Sequence, residues 1–324
     1  MSASPIDILG IGNAIVDVIA HADDAFLDAQ AMAKGGMELI DEARAESIYT
    51  DMGAGIQASG GSAGNTIAGI ASLGGKPAYI GKVKDDVLGK VFTHDLRAMG
   101  VRFDTPAATD GPATARCLIL VTPDAQRTMN TFLGACVNLT PDDIDEALVA
   151  AAGITYLEGY LFDPPHAKEA FRKAAKIARN AGRKVALSLS DSFCVGRYRD
   201  EFRALIEDHV DIVFANEDEI TTLYEADLAT ATAMVSASAG LAAITLGARG
   251  SLLVSGDERV EVPAANISRV VDTTGAGDLY AAGVLHGLSR GLPLIECGRL
   301  GSIAAGEIIS HFGARPETPL IDLV

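Results

Sequence analysis

The strongest candidate for chemistry is a glycine-rich segment near the carboxyl end, Asp272-Thr-Thr-Gly-Ala-Gly-Asp278. It follows a strand-like run, Ser268 to Val271, and leads into an apolar segment that predicts a helix from about Ala276 to Leu288. Unpaired backbone N–H groups and the helix dipole converge at such a helix start, which makes it a natural anion site. Asp278, in the first helical turn, places beside that site a carboxylate that can accept a proton from an attacking hydroxyl.

The same segment also has a purely structural interpretation. Glycine-rich turns often open helices, and an acidic residue in the first turn is favourable to the helix dipole without any chemistry. The predicted helix is apolar nearly all round, however, which is an odd setting for a carboxylate that only caps it. We therefore favour a functional role for Asp278 and for the turn Gly275-Ala276-Gly277.

A second glycine-rich segment lies in the first third of the chain, Ser59-Gly-Gly-Ser-Ala-Gly-Asn-Thr66, ahead of a helix predicted to begin near Asn65. Gly60 and Gly61 allow the hydroxyls of a ligand to approach the backbone, and Asn65 offers both a donor and an acceptor. A tight turn without a ligand explains the same glycines.

Asn13 and Asp17 form another polar pair, just after the first predicted strand, Ile6 to Ile11. Their short side chains suit ribose-like hydroxyls, although a turn at the strand end explains them equally well. Other nucleotide-binding motifs are incomplete or absent. Gly10-Ile11-Gly12 lacks the third glycine of a dinucleotide fingerprint, and no GxxxxGK[ST] occurs. A P-loop enzyme is therefore excluded, and a dehydrogenase is disfavoured.

Composition narrows the possibilities further. The chain has 324 residues, 48% of them hydrophobic and 21% charged, which is typical of a globular protein. Its formal charge of −17 would repel a phosphate backbone, so nucleic acid is not an expected partner. The four cysteines have neither disulfide-framework nor metal-ligand spacing. We find neither an apolar stretch long enough to span a membrane nor a secretory signal, and we expect a cytoplasmic protein.

The order of apolar runs predicts an α/β fold. Short strand-like runs alternate with helical segments such as Pro165 to Ala181, and this alternation builds a parallel sheet covered by helices. Thr114 to Leu133, interrupted at Pro123-Asp124, has the pattern of a hairpin, and a hairpin that extends from such a body can serve as a lid. Nothing marks a boundary between independent domains.

The two glycine-rich segments, in this order and spacing, resemble the two signatures of the ribokinase-like, or PfkB, family of sugar and nucleoside kinases. Asn216-Glu-Asp-Glu219, Thr245-Leu-Gly-Ala-Arg-Gly250 and a terminal helix leading to Gly313-Ala314 extend the resemblance over essentially the whole chain. It implies a three-layer α/β/α sandwich with a mostly parallel central sheet, formed by a single domain over residues 1–324. A small β lid is expected from about residues 13–40 and 108–136.

Several stretches resemble adenosine kinases more than other members of the family. They are Tyr156 to Leu161, Ala186 to Phe193, Asp211 to Glu217 and the lid segment Thr122 to Cys136. One departure is Tyr160-Leu161, which stands where eukaryotic adenosine kinases tend to have two phenylalanines. The resemblance implies transfer of the γ-phosphoryl group of ATP, with Mg²⁺, to a primary hydroxyl. Our first choice of acceptor is the 5′-hydroxyl of adenosine, giving AMP.

The resemblance also implies roles for individual residues. Asp278 is the expected base, and the backbone N–H groups of Gly275, Ala276 and Gly277 are expected to hold the charge of the transferring group. The residues expected to bind the ribose of the acceptor are Asn13, Asp17, Gly60, Gly61 and Asn65. Those expected beside ATP are Asn216, Thr245, Gly247, Gly250 and Arg127, with Glu219 near Mg²⁺ through water. Alternatively, Asn216 and Glu219 only cap a helix, and Arg127 is an exposed lid charge.

The choice of acceptor depends on the far end of its pocket. Met37, Ala135 and Leu161 are candidates to line a slot for a purine, although each is also a plausible core residue. A sugar kinase acting on ribose, fructose or a keto-deoxy sugar would instead need polar groups there, because unpaired hydroxyls are costly to bury. We therefore favour a nucleoside and keep a sugar as the alternative, with a non-catalytic nucleotide sensor as a third hypothesis.

The expected partners are small molecules only: a nucleoside or sugar, and ATP. We expect no membrane contact and a monomer or a homodimer. A monovalent cation activates some relatives, and the sequence leaves that possibility open here.

Overall fold

The computed structural model describes residues 6–124, 126–162 and 164–324. Residues 1–5, on which the expected absence of a secretory signal partly depends, lie outside the described residues, as does Ala125 in the predicted hairpin.

Fourteen strands are assigned in the described parts of the chain. They are β1 (Ile6–Ile11), β2 (Ile15–His21), β3 (Met37–Leu39), β4 (Ile56–Ser59), β5 (Pro77–Ile80), β6 (Arg102–Phe103), β7 (Ala115–Val121), β8 (Arg127–Phe132), β9 (Ala152–Glu158), β10 (Lys184–Ser188), β11 (Ile212–Asn216), β12 (Leu241–Thr245), β13 (Ser251–Ser255) and β14 (Glu258–Val262). Nine of them form one sheet in the order β14-β13-β12-β11-β10-β9-β1-β5-β6. Within it β13 pairs antiparallel with both β12 and β14. All other neighbouring strands of this sheet pair in parallel.

Helices cover both faces of this sheet. The helices are α1 (Asp24–Ala29), α2 (Glu42–Asp51), α3 (Ser62–Ser72), α4 (Val87–Ala98), α5 (Glu146–Ala151), α6 (Pro165–Asn180), α7 (Ser192–Arg197), α8 (Arg199–His209), α9 (Glu217–Tyr224), α10 (Leu228–Ala239), α11 (Ala276–Ser289) and α12 (Leu294–Ile308). One buried cluster joins the sheet to α3, α4, α11 and α12, and a second joins its other face to α5, α6, α8, α9 and α10. The three-layer α/β/α fold predicted from the sequence is confirmed.

A second sheet of five strands, in the order β3-β8-β7-β2-β4, is made largely of the segments predicted for the lid, and its closure over a ligand stays a prediction. Strand β2 alternates strictly: Val16, Val18 and Ala20 are buried in the core shared with α1 and α2, and Ile15, Asp17 and Ile19 lie on the opposite face. Four of its strands come from the two segments predicted for the lid. The fifth strand, β4, was not predicted from the sequence; it ends at Ser59, the first residue of the glycine-rich segment.

Two local predictions were wrong. The strand expected over Ser268 to Val271 is absent; Val270 is 55% exposed, and the N–H group of Val271 bonds to the carbonyl of Ile309 after α12. The helix expected near Asn65 begins three residues earlier, at Ser62, with Gly61 as its N-cap. Among the described residues, no helix combines the length and the apolar character that crossing a bilayer requires.

Candidate active site

The candidate site lies where the strand order of the parallel sheet reverses. Strands β1 and β9 are neighbours in the sheet, and the chain runs outward from them in opposite directions. In open α/β sheets, ligands bind beyond the carboxyl ends of the strands at this switch point. A cavity of about 880 Å³ occupies it, lined among others by Asn13 after β1, Glu158 at the end of β9 and Thr245 at the end of β12.

The glycine turn before α11 forms one wall of this cavity. Gly275 has a left-handed backbone (φ 78°), and no side chain among the described residues caps the helix. Gly275, Ala276, Gly277 and Asp278 all line the cavity. A β-carbon on Gly277 would have no neighbour within 4 Å, so the backbone there is open to a ligand. The helix start therefore offers the N–H groups of Gly275 and Gly277 to an anion beside a carboxylate, while the N–H group of Ala276 donates to the carbonyl of Thr273 at 3.2 Å.

The Asp278 carboxylate is held by the first turn of α3. Ser62 Oγ donates to Oδ1 at 2.6 Å, and Asn65 Nδ2 donates to Oδ2 at 2.9 Å. Burial raises the pKa of Asp278 above its ordinary value, while these two hydrogen bonds and the positive charge of Arg315 oppose the rise. Asn65, which was predicted to bind a ligand hydroxyl, lines the cavity and also holds Asp278. Its own Oδ1 is buried without a partner in the described structure, and its contact with a ligand stays a prediction.

The first two glycines of the Ser59–Thr66 segment are needed to fit the protein's own groups. A β-carbon on Gly60 would collide with the carboxylate of Asp17. Gly61 has a φ of 83°, and its β-carbon would collide with the backbone oxygen of Asn13. Gly61, Asn13 and Asp17 line the cavity, whereas Gly60 does not. Gly60 was predicted to contact a ligand, but it does not line the cavity; the absence of a side chain at Gly60 makes room for Asp17.

Glu158 is a functional candidate that the sequence analysis did not identify. This carboxylate is 1% exposed and lies at the end of β9. It accepts hydrogen bonds from Asn13 Nδ2 at 2.8 Å, from the Asn13 N–H group at 3.3 Å and from the Ala63 N–H group at 2.8 Å. Glu158 thus ties the loop after β1 to the start of α3. Burial raises the pKa of Glu158 to about 7, although these hydrogen bonds lower it.

The raised pKa makes stability depend on pH. The folded protein binds the Glu158 proton more tightly than the unfolded chain does, so the free energy of unfolding falls as pH rises from the ordinary value of 4.5 to about 7. In Glu158→Gln, the Asn13 amide can turn so that Oδ1 accepts from the new amide. Between pH 5 and pH 7, we expect the free energy of unfolding to fall less in this variant than in the wild type, by up to about 3 kcal/mol. Urea unfolding at the two pH values measures this difference.

The control for this experiment is Glu146→Gln, which removes an exposed carboxylate in the first turn of α5. It should leave the dependence on pH as in the wild type. Equal slopes in Glu158→Gln and the wild type would contradict the account of Glu158.

Arg127 joins the lid to the glycine turn. Its Nη1 forms a buried ion pair with Asp272 and donates to Thr274 Oγ1 at 3.1 Å. Only 8% of the Arg127 side chain is exposed, so the alternative of an exposed lid charge is wrong. Its Nε and Nη2 are buried without a hydrogen-bond partner in the described structure. Arg127 does not line the cavity itself, and its contact with phosphate stays a prediction.

Asn216 and Glu219 form a capping box at the start of α9. Asn216 Oδ1 accepts from the Glu219 N–H group at 2.8 Å, and the Glu219 carboxylate accepts from Asn216 Nδ2 at 2.7 Å and from its N–H group at 3.0 Å. Both residues line the cavity, so capping and ligand binding are compatible. Burial raises the pKa of Glu219 to about 7.

The donor set near Glu219 fits a hydrated Mg²⁺. Among the described residues, no three His, Cys, Asp or Glu side chains converge in a way that could hold a metal ion. Mg²⁺ keeps several waters and is usually bound by one or two carboxylates together with substrate phosphates. The carboxylate oxygens of Glu219 each retain a lone pair for a bound water.

The strand-turn-strand from Thr245 to Gly250 is present as β12, a short 3₁₀ turn at Gly247–Arg249 and β13. Thr245 lines the cavity, whereas Gly247 and Gly250 do not. A β-carbon on Gly250 (φ 89°) would collide with the backbone oxygen of Val262, so this glycine is required by the fold. A β-carbon on Gly247 (φ 59°) would have no neighbour within 4 Å.

The apolar wall of the cavity differs from the predicted one. Met37 is 54% exposed and lines the cavity as predicted, but Ala135 and Leu161 are buried and do not. Leu161 belongs to the core on one face of the main sheet. The lid supplies further apolar lining residues: Ile15, Leu39, Ile119, Met129 and Leu133. Two aromatic residues, Tyr160 and Phe193, line the cavity as well. Phe193 is 72% exposed.

The sequence match agrees with this geometry. The pfkB family of carbohydrate kinases matches residues 42–320. The chain belongs to this family. PfkB kinases are phosphotransferases that act on hydroxyl groups, so the predicted family and enzyme class are confirmed. Membership of a kinase family implies ATP as the co-substrate.

Individual relatives point in two directions within the PfkB family. The adenosine kinase of Sinorhizobium meliloti is 54% identical, with 98% of each chain covered and a TM-score of 0.91. A probable sugar kinase from Rhizobium etli is 50% identical, covering 99% of this chain and 98% of its own, also with a TM-score of 0.91. The 5-dehydro-2-deoxygluconokinase of Shouchella clausii is 29% identical over 81% of this chain and 83% of its own.

Proposed function

We propose that this PfkB kinase transfers the γ-phosphoryl group of ATP to the 5′-hydroxyl of a nucleoside, with adenosine as the preferred acceptor and AMP as the product. The observation that supports this most directly is the position of Asp278. Its carboxylate lies at the start of α11, beside the open Gly275–Gly277 turn and within a cavity that the lid covers with apolar side chains.

The proposed reaction is an in-line displacement. As the acceptor oxygen attacks the γ-phosphorus, its proton passes to the Asp278 carboxylate, and the bond between the γ-phosphorus and the oxygen of the β-phosphate breaks to release ADP. Asn65 and Ser62 hold the Asp278 carboxylate in place. Because burial raises the pKa of Asp278, this carboxylate is a stronger base than an exposed aspartate.

The turn before α11 stabilises the transferring group. The N–H groups of Gly275 and Gly277 would donate to its oxygens, and that of Ala276 would join them by giving up its bond to the Thr273 carbonyl. One such donor is often worth about 3 to 4 kcal/mol of transition-state stabilisation. Mg²⁺ bound near Glu219 would neutralise part of the charge on the phosphates. Asn216 and Thr245 would flank ATP.

Asn13 and Asp17 would bind the ribose hydroxyls of the acceptor. Asn13 Oδ1 is buried without a partner in the described structure and is available to a hydroxyl. Burial raises the pKa of Asp17 to about 6, against the positive charges of Arg315 and Arg127.

The far end of the cavity favours a base over a free sugar. Hydroxyls placed against Ile119, Met129 and Leu133 would lose their hydrogen bonds to water without replacement. A flat purine can pack there between the lid and Phe193. The 54% identity to an adenosine kinase supports the same choice.

A panel of acceptors tests this proposal. Initial rates with ATP would be measured for adenosine, inosine, ribose, fructose and 5-dehydro-2-deoxygluconate. We expect kcat/KM to be highest for adenosine. A preference for any of the free sugars would overturn the nucleoside assignment and support the sugar kinase, which the 5-dehydro-2-deoxygluconokinase relatives suggest.

Phe193 provides a more local prediction. Stacking of a base on an aromatic side chain is worth about 1 to 3 kcal/mol, so Phe193→Ala should raise the KM for adenosine about 5- to 150-fold with little change in kcat. Val87→Ala removes a similarly exposed apolar side chain that does not line the cavity, and it should leave the KM unchanged. An unchanged KM in Phe193→Ala would show that the base lies elsewhere.

A further inference from the structure

Arg315 is a partly buried cation without an ion-pair partner in the described structure. Its Nη2 donates one hydrogen bond, to Ser59 Oγ at 3.1 Å. Its Nε and Nη1 are buried and have no hydrogen-bond partner there. A guanidinium that loses water without a paired carboxylate is costly, so its presence calls for an explanation.

The guanidinium lies against the first turn of α3. A β-carbon on Gly64 would come within 3.6 Å of Nη2, and Gly64 stands between Ser62 and Asn65, the two residues that hold Asp278. The cation therefore lies within van der Waals contact distance of this turn.

The residues just before Arg315 contact the other side of the site. The N–H group of Gly313 donates to Asp272 at 3.1 Å, and Ala314 packs against Gly275, whose β-carbon would lie 3.0 Å from that of Ala314. The segment 313–315 therefore touches both glycine-rich segments, and Arg315 is its only charged residue.

The positive charge of Arg315 acts on two carboxylates that line the cavity. The positive charge of Arg315 lowers the pKa of Asp17 and of Asp278, in each case against the larger effect of burial. In return, Asp17 and Asp278 are the strongest of the charges that favour the ionised form of Arg315. The cost of an unpaired guanidinium is thus offset by two carboxylates that it does not contact directly.

We propose that Arg315 is an electrostatic positioning residue that keeps the Asp278 carboxylate ionised and ready to accept the proton of the substrate hydroxyl, without touching the substrate. This inference rests on the proposed role of Asp278 as the base. Asp278 accepts hydrogen bonds from Ser62 and Asn65 and interacts with the charge of Arg315. The other titratable groups that interact electrostatically with it are Asp17, Tyr156, Glu158, Tyr160 and Glu219.

The test is the pH profile of kcat/KM in Arg315→Met and Arg315→Lys. Without the cation, Asp278 is protonated at higher pH, so the loss of activity relative to the wild type should be about tenfold larger at pH 5.5 than at pH 8. Arg315→Lys, which restores a positive charge, should recover most of the activity at pH 5.5. Arg290→Met removes a cation that the structure places outside the cavity and controls for the change in net charge.

The possible outcomes are distinct. A loss that is equal at every pH, or one that appears only as a raised KM for ATP, would overturn the proposal and make Arg315 a structural or phosphate-binding residue. If Arg315→Met does not fold, Arg315→Gln decides: it removes the charge but keeps an amide that can donate to Ser59, and a merely structural role predicts an unaltered pH profile in it. Retained turnover in Asp278→Asn would instead remove the proposed function itself, whatever Arg315 does.

Discussion

Asp278→Asn should lower kcat by about 10²- to 10⁴-fold, the usual contribution of a general base. The amide cannot accept the proton of the acceptor hydroxyl, but it retains the shape of the carboxylate. Ser62 Oγ can turn to accept from the new Nδ2, and Asn65 can continue to donate to the remaining oxygen. We therefore expect the KM values for ATP and adenosine to change little.

Stability should separate this effect from unfolding. Because burial raises the pKa of Asp278, removing its charge should leave the free energy of unfolding unchanged or slightly higher. Asp145→Asn is the matched control: Asp145 also stands at a helix start, where it caps α5, but it does not line the cavity. Turnover within a few-fold of the wild type in Asp278→Asn would show that this carboxylate is not the base.

Gly61→Ala should lower both stability and activity. At φ 83° and ψ 141° the backbone of Gly61 lies in a region that other residues rarely adopt, and the added β-carbon would collide with the carbonyl oxygen of Asn13. Because the oxygen that the β-carbon would meet belongs to the backbone, moving it aside costs more free energy than turning a side chain. We expect a loss of about 3 kcal/mol or more in the free energy of unfolding, and a fall in kcat/KM because Asn13 and the start of α3 are displaced.

Gly100→Ala is the control for a β-carbon added at a positive φ without a collision. Gly100 has a φ of 81°, and a β-carbon there would have no neighbour within 4 Å. It should cost about 1 kcal/mol and leave the activity unchanged, since Gly100 does not line the cavity. Equal losses in the two variants, measured by urea unfolding, would contradict the collision with Asn13.

The fold was largely predictable because its signals are local. Helix α6 runs over Pro165–Asn180, one residue short of the predicted end, since its apolar face repeats with helical spacing. Strand β4, in contrast, has only four residues, with Ile56 74% exposed, so no apolar pattern marks it. The run at Val270–Val271 has strand-like residues but finds no strand partner, and pairing is a property of the whole fold.

The site was predictable where its motifs are contiguous and not where distant segments meet. Asp278 and Asn65 were both identified, but the bond between them joins residues 213 positions apart. Glu158 was overlooked, although an acidic residue at the end of an apolar strand is a usable signal. Arg315 follows Gly313-Ala314, and no pattern in the sequence indicates which helix it approaches.

A crystal structure with adenosine and a non-hydrolysable ATP analogue would test the central claim most directly. We expect the 5′-oxygen within about 3.2 Å of an Asp278 carboxylate oxygen, the γ-phosphate against the N–H groups of Gly275–Gly277, and the purine beneath the lid. A 5′-oxygen that is remote from Asp278, or a γ-phosphate bound away from this turn, would contradict the account.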